Sequence, residues 1–256
     1  MTRTDDPTTP MNTTQTNDLP TVDGPTGLIV AMDEELAIIL EHLQQVRQQQ
    51  IAELNFYEGE FFGHPVVAVV CGVGKVHAAL CTQILISTFK VAQVINIGIA
   101  GGLHPDLVPG DIVIADSLVQ HDMDVRALGL PLGQIYRSPY FDFKTDTQLR
   151  ERAIAAAAQI DDHQVKVGRI ATGDQFIANN QTAQAIYDEF GALACEMESG
   201  SIAQVCTLNQ RPFVCIRSLS DNANSGANMD FASFLPIAVK NSSVLLKAMF
   251  RPLNAL

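Results

Sequence analysis

Phe213-Val-Cys-Ile-Arg-Ser-Leu-Ser-Asp221 is the stretch on which the fold turns. It opens on four apolar or β-branched residues behind an Arg211-Pro212 boundary and ends in small polar residues, an arginine and a carboxylate. A short apolar run of this kind reads as a buried strand of a parallel or mixed sheet. Ligands of open α/β sheets bind in the crevice beyond the carboxyl ends of the strands. Arg217 and Asp221 therefore fall where chemistry is expected. A second acid-bearing strand end, Leu193-Ala-Cys-Glu-Met-Glu198, lies one helix upstream. The two ends read as opposite walls of one pocket.

Working outward, strands and helices alternate. Ordered structure is expected from Gly27-Leu-Ile-Val-Ala-Met32, a short buried strand. Asp33-Glu34-Glu35 then opens a helix whose apolar positions are Leu36, Ile39, Leu40 and Leu43, with Asp33 as its N-cap. Leu54–Phe61 and Pro65–Cys71 read as a hairpin across Gly63-His64. Gly72-Val-Gly-Lys75 opens a helix to Phe89. Its spacing fails the Walker pattern, because Val69 and Val76 stand where that pattern needs Gly and Ser or Thr. A strand from Val91 to Ile97 ends in Gly98-Ile-Ala-Gly-Gly102, whose glycines let the backbone approach a ligand closely.

Asp111–Ala115 and Leu118–Val125 extend the sheet, and His121-Asp-Met-Asp124 reads as a hydrogen-bonded turn in preference to a metal site. Ala127–Lys144 is a long loop carrying Tyr136, Tyr140, Phe141 and Phe143, a composition suited to an interface or lid. There follow a helix Asp146–Gln159, a strand Val165–Thr172 ending in Gly173-Asp-Gln-Phe-Ile177, and a helix Thr182–Phe190. Beyond the two acid-bearing ends, which flank a helix Ser199–Leu208, come a loop Asn222–Met229 and a last helix Phe231–Phe250. The alternation implies an α/β sandwich.

Bulk properties narrow the function. The 256 residues are 47% hydrophobic and 17% charged, a core-rich composition compatible with one domain. A net charge of −12 argues against nucleic-acid or anionic-membrane surfaces. The five cysteines, Cys71, Cys81, Cys195, Cys206 and Cys215, lack CxxC pairing and read as core residues of a reducing compartment. With no membrane-length apolar run and no signal-peptide pattern, a cytoplasmic location is expected. Residues 1–26 are polar and read as a disordered tail ahead of a domain at 27–256.

Taken together, Ala31-Met-Asp-Glu-Glu35, Gly72-Val-Gly-Lys75, Gly98-Ile-Ala-Gly-Gly102, Gly173-Asp-Gln-Phe-Ile177, Glu196-Met-Glu198 and Arg217-Ser-Leu-Ser-Asp221 resemble, in order and spacing, the 5′-methylthioadenosine/S-adenosylhomocysteine nucleosidases of the nucleoside phosphorylase superfamily. The resemblance covers residues 27–250. It implies a three-layer α/β/α sandwich with a central mixed sheet, a homodimer, no cofactor, and hydrolysis of the bond between adenine and ribose in thioether nucleosides. It also implies roles. Asp221 would be the general acid toward purine N7, and Glu35 would position and deprotonate the water. Glu198 would hold the ribose hydroxyls beside Met197, with Arg217 supporting the ribose site. Phe176 would stack on adenine while the Ile177 main chain reads its edge. Ala100 and Gly101 would give close backbone approach, and Met32 and Phe231 would line the alkylthio pocket. No metal is implied.

The acids make chemical sense by themselves. Cleaving an N-glycosidic bond needs a proton for the leaving purine and a water aimed at an oxocarbenium-like carbon, a task for paired carboxylates. Each residue also has a plain structural reading. Phe176 and Phe231 could be core aromatics, Glu198 could favour the next helix's N-terminus, and Arg217 could be a structural partner for an acid. Some positions depart from the family pattern. Ile99 replaces a commonly small polar residue, Asn224 stands where a second aspartate is common, and Leu128 and Tyr136 occupy the loop expected to reach a partner's thioether pocket. The alternatives are a phosphorylase of the same fold, an aminodeoxyfutalosine nucleosidase, and a non-catalytic nucleoside-binding module. Asp33-Glu34-Glu35 would repel phosphate, and Arg126 is the only obvious mid-chain cation for one.

Overall fold

A computed structural model describes residues 23–158, 163–223 and 227–250, the last from residue 233 onward in its side chains. Among the described residues there are ten strands and six α-helices. β1 (Thr26–Val30) is followed by α1 (Asp33–Leu40), then by β2 (Leu43–Ile51), β3 (Leu54–Phe61) and β4 (His64–Val70). α2 (Lys75–Ser87), β5 (Gln93–Gly102), β6 (Ile112–Gln120), the two-residue β7 (Phe143–Lys144) and α3 (Thr147–Ala157) come next. β8 (Val165–Thr172), α4 (Asn180–Phe190), β9 (Ala194–Glu196), α5 (Ser199–Leu208), β10 (Phe213–Asp221) and α6 (Ala227–Phe250) complete the chain.

The deciding stretch is β10, and all nine of its residues are buried. It pairs parallel with β5 along Phe213–Leu219 and antiparallel with β6, which makes the sheet mixed. Strands β5, β10, β6, β8 and β9 close into a ring, since β9 pairs with both β8 and β5. From β5 the sheet continues through β1, β4, β3 and β2. Helices cover the sheet and divide the core. Ile29, Val69, Leu85, Ile202 and Cys206 pack on one side; Leu28, Ile97, Ile216, Leu245 and Phe250 pack on the other. The sandwich expected from the sequence is thereby borne out. Each fully buried Leu, Ile or Val contributes about 1.5–3 kcal/mol of burial, so β10 is anchored from both sides.

Several boundaries differ from the sequence reading. α1 ends at Leu40, and Leu43 begins a strand instead of continuing the helix. β2 is a glutamine-rich edge strand exposed along most of its length, so no apolar alternation marks it. Its turn to β3 uses Ala52 and Glu53 at φ 50° and 65°, without the Asn or Gly that normally flags such a turn. The two strands expected at 111–115 and 118–125 are one strand, β6, with His121–Asp124 beyond its end. Met32, not Asp33, takes the N-cap position of α1. α6 starts at Ala227, ahead of the expected Phe231. β1 starts at Thr26.

All five cysteines are buried and unpaired. Among the described residues no helix is long and apolar enough to cross a membrane.

Candidate active site

The carboxyl ends of β1, β5, β9 and β10 converge on a cavity of about 370 Å³, within the range of small-molecule sites. Met32, Glu35, Ala100, Gly101, Phe176, Ile177, Met197, Glu198, Arg217 and Asp221 all line it. Phe231 lies in α6, but its side chain is outside the described residues, as is Asn224.

Glu35 sits one turn into α1 and folds back over the helix start. Its Oε2 accepts from the Ala31 and Met32 N–H groups at 2.9 and 3.0 Å. Burial pushes this carboxyl above its ordinary value, opposed by the nearby charge of Arg217 and by those amides. The other oxygen, Oε1, is buried and makes no well-formed hydrogen bond, although the Ile99 amide lies close enough to favour the charged form. Gly98 makes room for it: a Cβ there would stand 2.7 Å from Oε1.

The β9 end separates its two glutamates by environment. Glu196 Oε2 accepts from Arg217 Nη2 at 2.7 Å and from the Glu198 and Ser199 amides at 3.1 and 2.8 Å. Its Oε1 accepts the Thr172 hydroxyl. Burial alone would raise this carboxyl, yet Arg217 and the donors hold it below the ordinary range. Glu198 Oε1 accepts from the Gly74 N–H at 3.0 Å. Burial and the adjacent Glu196 charge push its pKa up to about 7.

Arg217 is buried within the sheet. Besides Glu196, its Nη2 donates to Asn96 Oδ1 at 2.7 Å, and Asn96 in turn donates to the Ile29 carbonyl at 3.0 Å. The arginine thus ties β10 to β5 and β1 while serving as structural partner of Glu196. Asp221, at the end of β10, accepts from the Ser220 hydroxyl at 2.8 Å and from the Ala223 N–H at 2.7 Å. Gly101 packs against it, with an added Cβ only 3.0 Å from Oδ1. Phe176 is half exposed at the rim, whereas Ile177 is buried.

The structure adds residues that the sequence reading had not assigned. Glu196 and Asn96 organise the arginine, and Val73, Gln175, Cys195 and Ser220 complete the wall. A lone Asn inside the apolar run Val94-Ile-Asn-Ile97 was the available signal for Asn96. The His121–Asp124 segment is spent on ion pairs: Asp122 binds Lys75 at 2.6 Å and Asp124 binds Arg126 at 2.7 Å.

Four carboxylates and one cation line an otherwise apolar, nucleoside-sized cavity of an α/β enzyme, a set of groups suited to acid–base chemistry. More particularly, the chain belongs to the phosphorylase superfamily, whose family model matches residues 25–251. It is 42% identical over 226 residues to the 5′-methylthioadenosine/S-adenosylhomocysteine nucleosidase of Marinomonas sp. (strain MWYL1), covering 88% of this chain and 97% of that protein. Among solved structures, it superposes on the Neisseria meningitidis nucleosidase in complex with methylthio-immucillin-A with a TM-score of 0.85, at 36% identity over 88% of this chain and 98% of that one. The futalosine hydrolase of Helicobacter pylori strain 26695 is similar too, with a TM-score of 0.84 at 35% identity over 88% and 97% of the two chains.

Proposed function

We propose that this protein hydrolyses the N-glycosidic bond of 5′-methylthioadenosine and S-adenosylhomocysteine, releasing adenine and the thioribose product. One observation carries the reading: Glu35 and Asp221 are both buried at one cavity, Glu35 anchored by two backbone amides and Asp221 by the Ala223 amide and the Ser220 hydroxyl. In this mechanism Asp221 gives its proton to purine N7, so that adenine departs neutral. Glu35 orients a water through Oε1 and takes its proton as the sugar carbon becomes cationic. Glu198 accepts the ribose hydroxyls beside Met197, and Arg217 holds the glutamate pair in register. Phe176 stacks on the base, the Ile177 main chain reads its edge, and Ala100 and Gly101 allow close backbone approach. Met32 and Phe231 enclose the thioether group.

Water is favoured over phosphate as nucleophile because Arg217, the one cation among the cavity's described residues, is committed to Glu196 and Asn96. Arg126 pairs with Asp124 at the surface. Leu128 and Tyr136 are 61% and 49% exposed, which supports a homodimer in which 127–143 covers the partner's thioether pocket.

The test is adenine release from 5′-methylthioadenosine with and without phosphate. Phosphate-independent release is expected; 5-methylthioribose 1-phosphate formation that depends on phosphate refutes the reading. Similarity to a futalosine hydrolase makes aminodeoxyfutalosine the second substrate to assay, since its adenine and ribose would use the same walls.

A further inference from the structure

The Gly72-Val-Gly-Lys75 turn at the start of α2 is explained by none of the roles above. Two of its amides are taken by carboxylates of the chain itself. The Gly74 N–H donates to Glu198 Oε1 at 3.0 Å, and the next amide, Lys75 N–H, donates to Asp174 Oδ1 at 2.8 Å. Asp174 returns a link through its own N–H, which donates to Asp122 Oδ2 at 2.9 Å. The Lys75 ammonium closes the loop on Asp122 Oδ1 at 2.6 Å, with Gln120 Oε1 at 3.4 Å. Gly74 is required here: its φ is 97°, and a Cβ would stand 3.1 Å from Asp174 Oδ1.

Two consecutive amides at a positive helix end therefore hold two different carboxylates. One belongs to Glu198 on the sugar side. The other belongs to Asp174, two residues before Phe176 on the base side. Asp174, Gln175 and Phe176 are exposed between Gly173, whose N–H donates to the Glu196 carbonyl at 3.1 Å, and the buried Ile177.

We propose that Asp174 is a positioning residue which, braced by Lys75 and Asp122, couples the adenine-stacking loop to the ribose carboxylate Glu198 through the Gly74–Lys75 turn. This rests on the nucleosidase reading, and unaltered wild-type adenine release tests that reading separately.

The experiment compares Asp174→Ala, Asp174→Asn, Glu198→Ala and the double variant Asp174→Ala/Glu198→Ala in steady-state adenine release. Asp174→Ala removes the acceptor and is expected to raise KM by roughly tenfold while kcat stays within about threefold. Asp174→Asn keeps an acceptor oxygen for the Lys75 amide and is expected to restore KM to within about twofold of wild type. The double variant's loss in kcat/KM is expected to fall at least about threefold short of the product of the single losses. A wild-type KM in Asp174→Ala, equal impairment in Asp174→Ala and Asp174→Asn, or multiplicative losses in the double variant would each overturn the proposal. If Asp174→Ala is unfolded by circular dichroism, Asp122→Asn, which weakens the Lys75 ion pair, takes its place. A wild-type KM in that variant overturns the proposal, and a raised one supports it.

Discussion

Gly98→Ala would test the placement of Glu35 with a single methyl group. The methyl would stand 2.7 Å from Glu35 Oε1, 3.4 Å from Arg217 Nη1 and 3.5 Å from the Glu35 carboxyl carbon. Ordinary contact begins near 3.4 Å, so the oxygen must retreat by about 0.7 Å, the difference between 3.4 and 2.7. It cannot swing freely, because Oε2 is pinned by the Ala31 and Met32 amides. The backbone of Gly98 is not in the left-handed region, so alanine is tolerated conformationally. A displacement of about 1 Å in a reacting group can cost about 10²-fold in rate, so kcat should fall by about 10- to 10²-fold. That loss corresponds to about 1.4–2.7 kcal/mol of barrier. The adenine contacts proposed for Phe176 and Ile177 are left intact, so adenine affinity should change little. The assay is single-turnover adenine release beside adenine binding by calorimetry. A kcat within twofold of wild type, in a folded variant, would mean that Glu35 does not act on water from this position.

Two further perturbations separate the acids. Asp221→Asn keeps the size of the side chain but has no carboxylic proton to give, so turnover should fall by at least about 10²-fold while adenine affinity survives; near-normal turnover would assign the proton to another donor. Glu198 holds its proton more tightly folded, at about 7, than at its ordinary 4.5. Its contribution to stability is thus complete below about pH 4.5 and is lost as pH rises through about 7, by up to about 3 kcal/mol. Glu198→Gln should gain melting temperature relative to wild type between pH 5 and pH 8, and a pH-independent difference in Tm would contradict that assignment.

Sequence carried the site further than it carried the sheet's edge. Strands buried on both faces, such as β10 and β1, announce themselves by continuous apolar runs. The acids at their ends are then placed by topology alone. β2 was invisible because an exposed edge strand needs no apolar alternation, and because its turn uses Ala52 and Glu53 in a conformation that favours glycine or asparagine. The merging of two expected strands into β6 has a similar cause. Asp116 and Ser117 interrupt the apolar run, yet the Ser117 hydroxyl finds its partner in Asp116 Oδ1 and the strand continues. Glu196 was read as part of a strand end without a role. What distinguishes it from Glu198 is its set of donors, and a set drawn from Thr172, Ser199 and Arg217 exists only after folding.

That difference in donors is what lets closely spaced glutamates behave differently. Glu196 receives an arginine, a hydroxyl and two amides, which together outweigh the cost of burying its charge. At about 4 Å and an effective dielectric of about 20, one opposite charge is worth about 4 kcal/mol, and Arg217 lies inside that distance. Glu198 has the Gly74 amide and must also face the fixed negative charge of Glu196, so its proton is held to about 7. Glu35 has two amides on a single oxygen and the nearby Arg217 charge without a direct ion pair to it, and there burial prevails. The grading follows from how many donors each acid meets, and Arg217 sets its lower end. Without that cation Glu196 would be a buried charge with no counterion, a loss of about 3–5 kcal/mol when one partner of such a pair is removed. The alternative, protonation of Glu196, would remove the negative charge that raises Glu198. One buried arginine thus holds the strands together and fixes which of the cavity's acids keeps a proton.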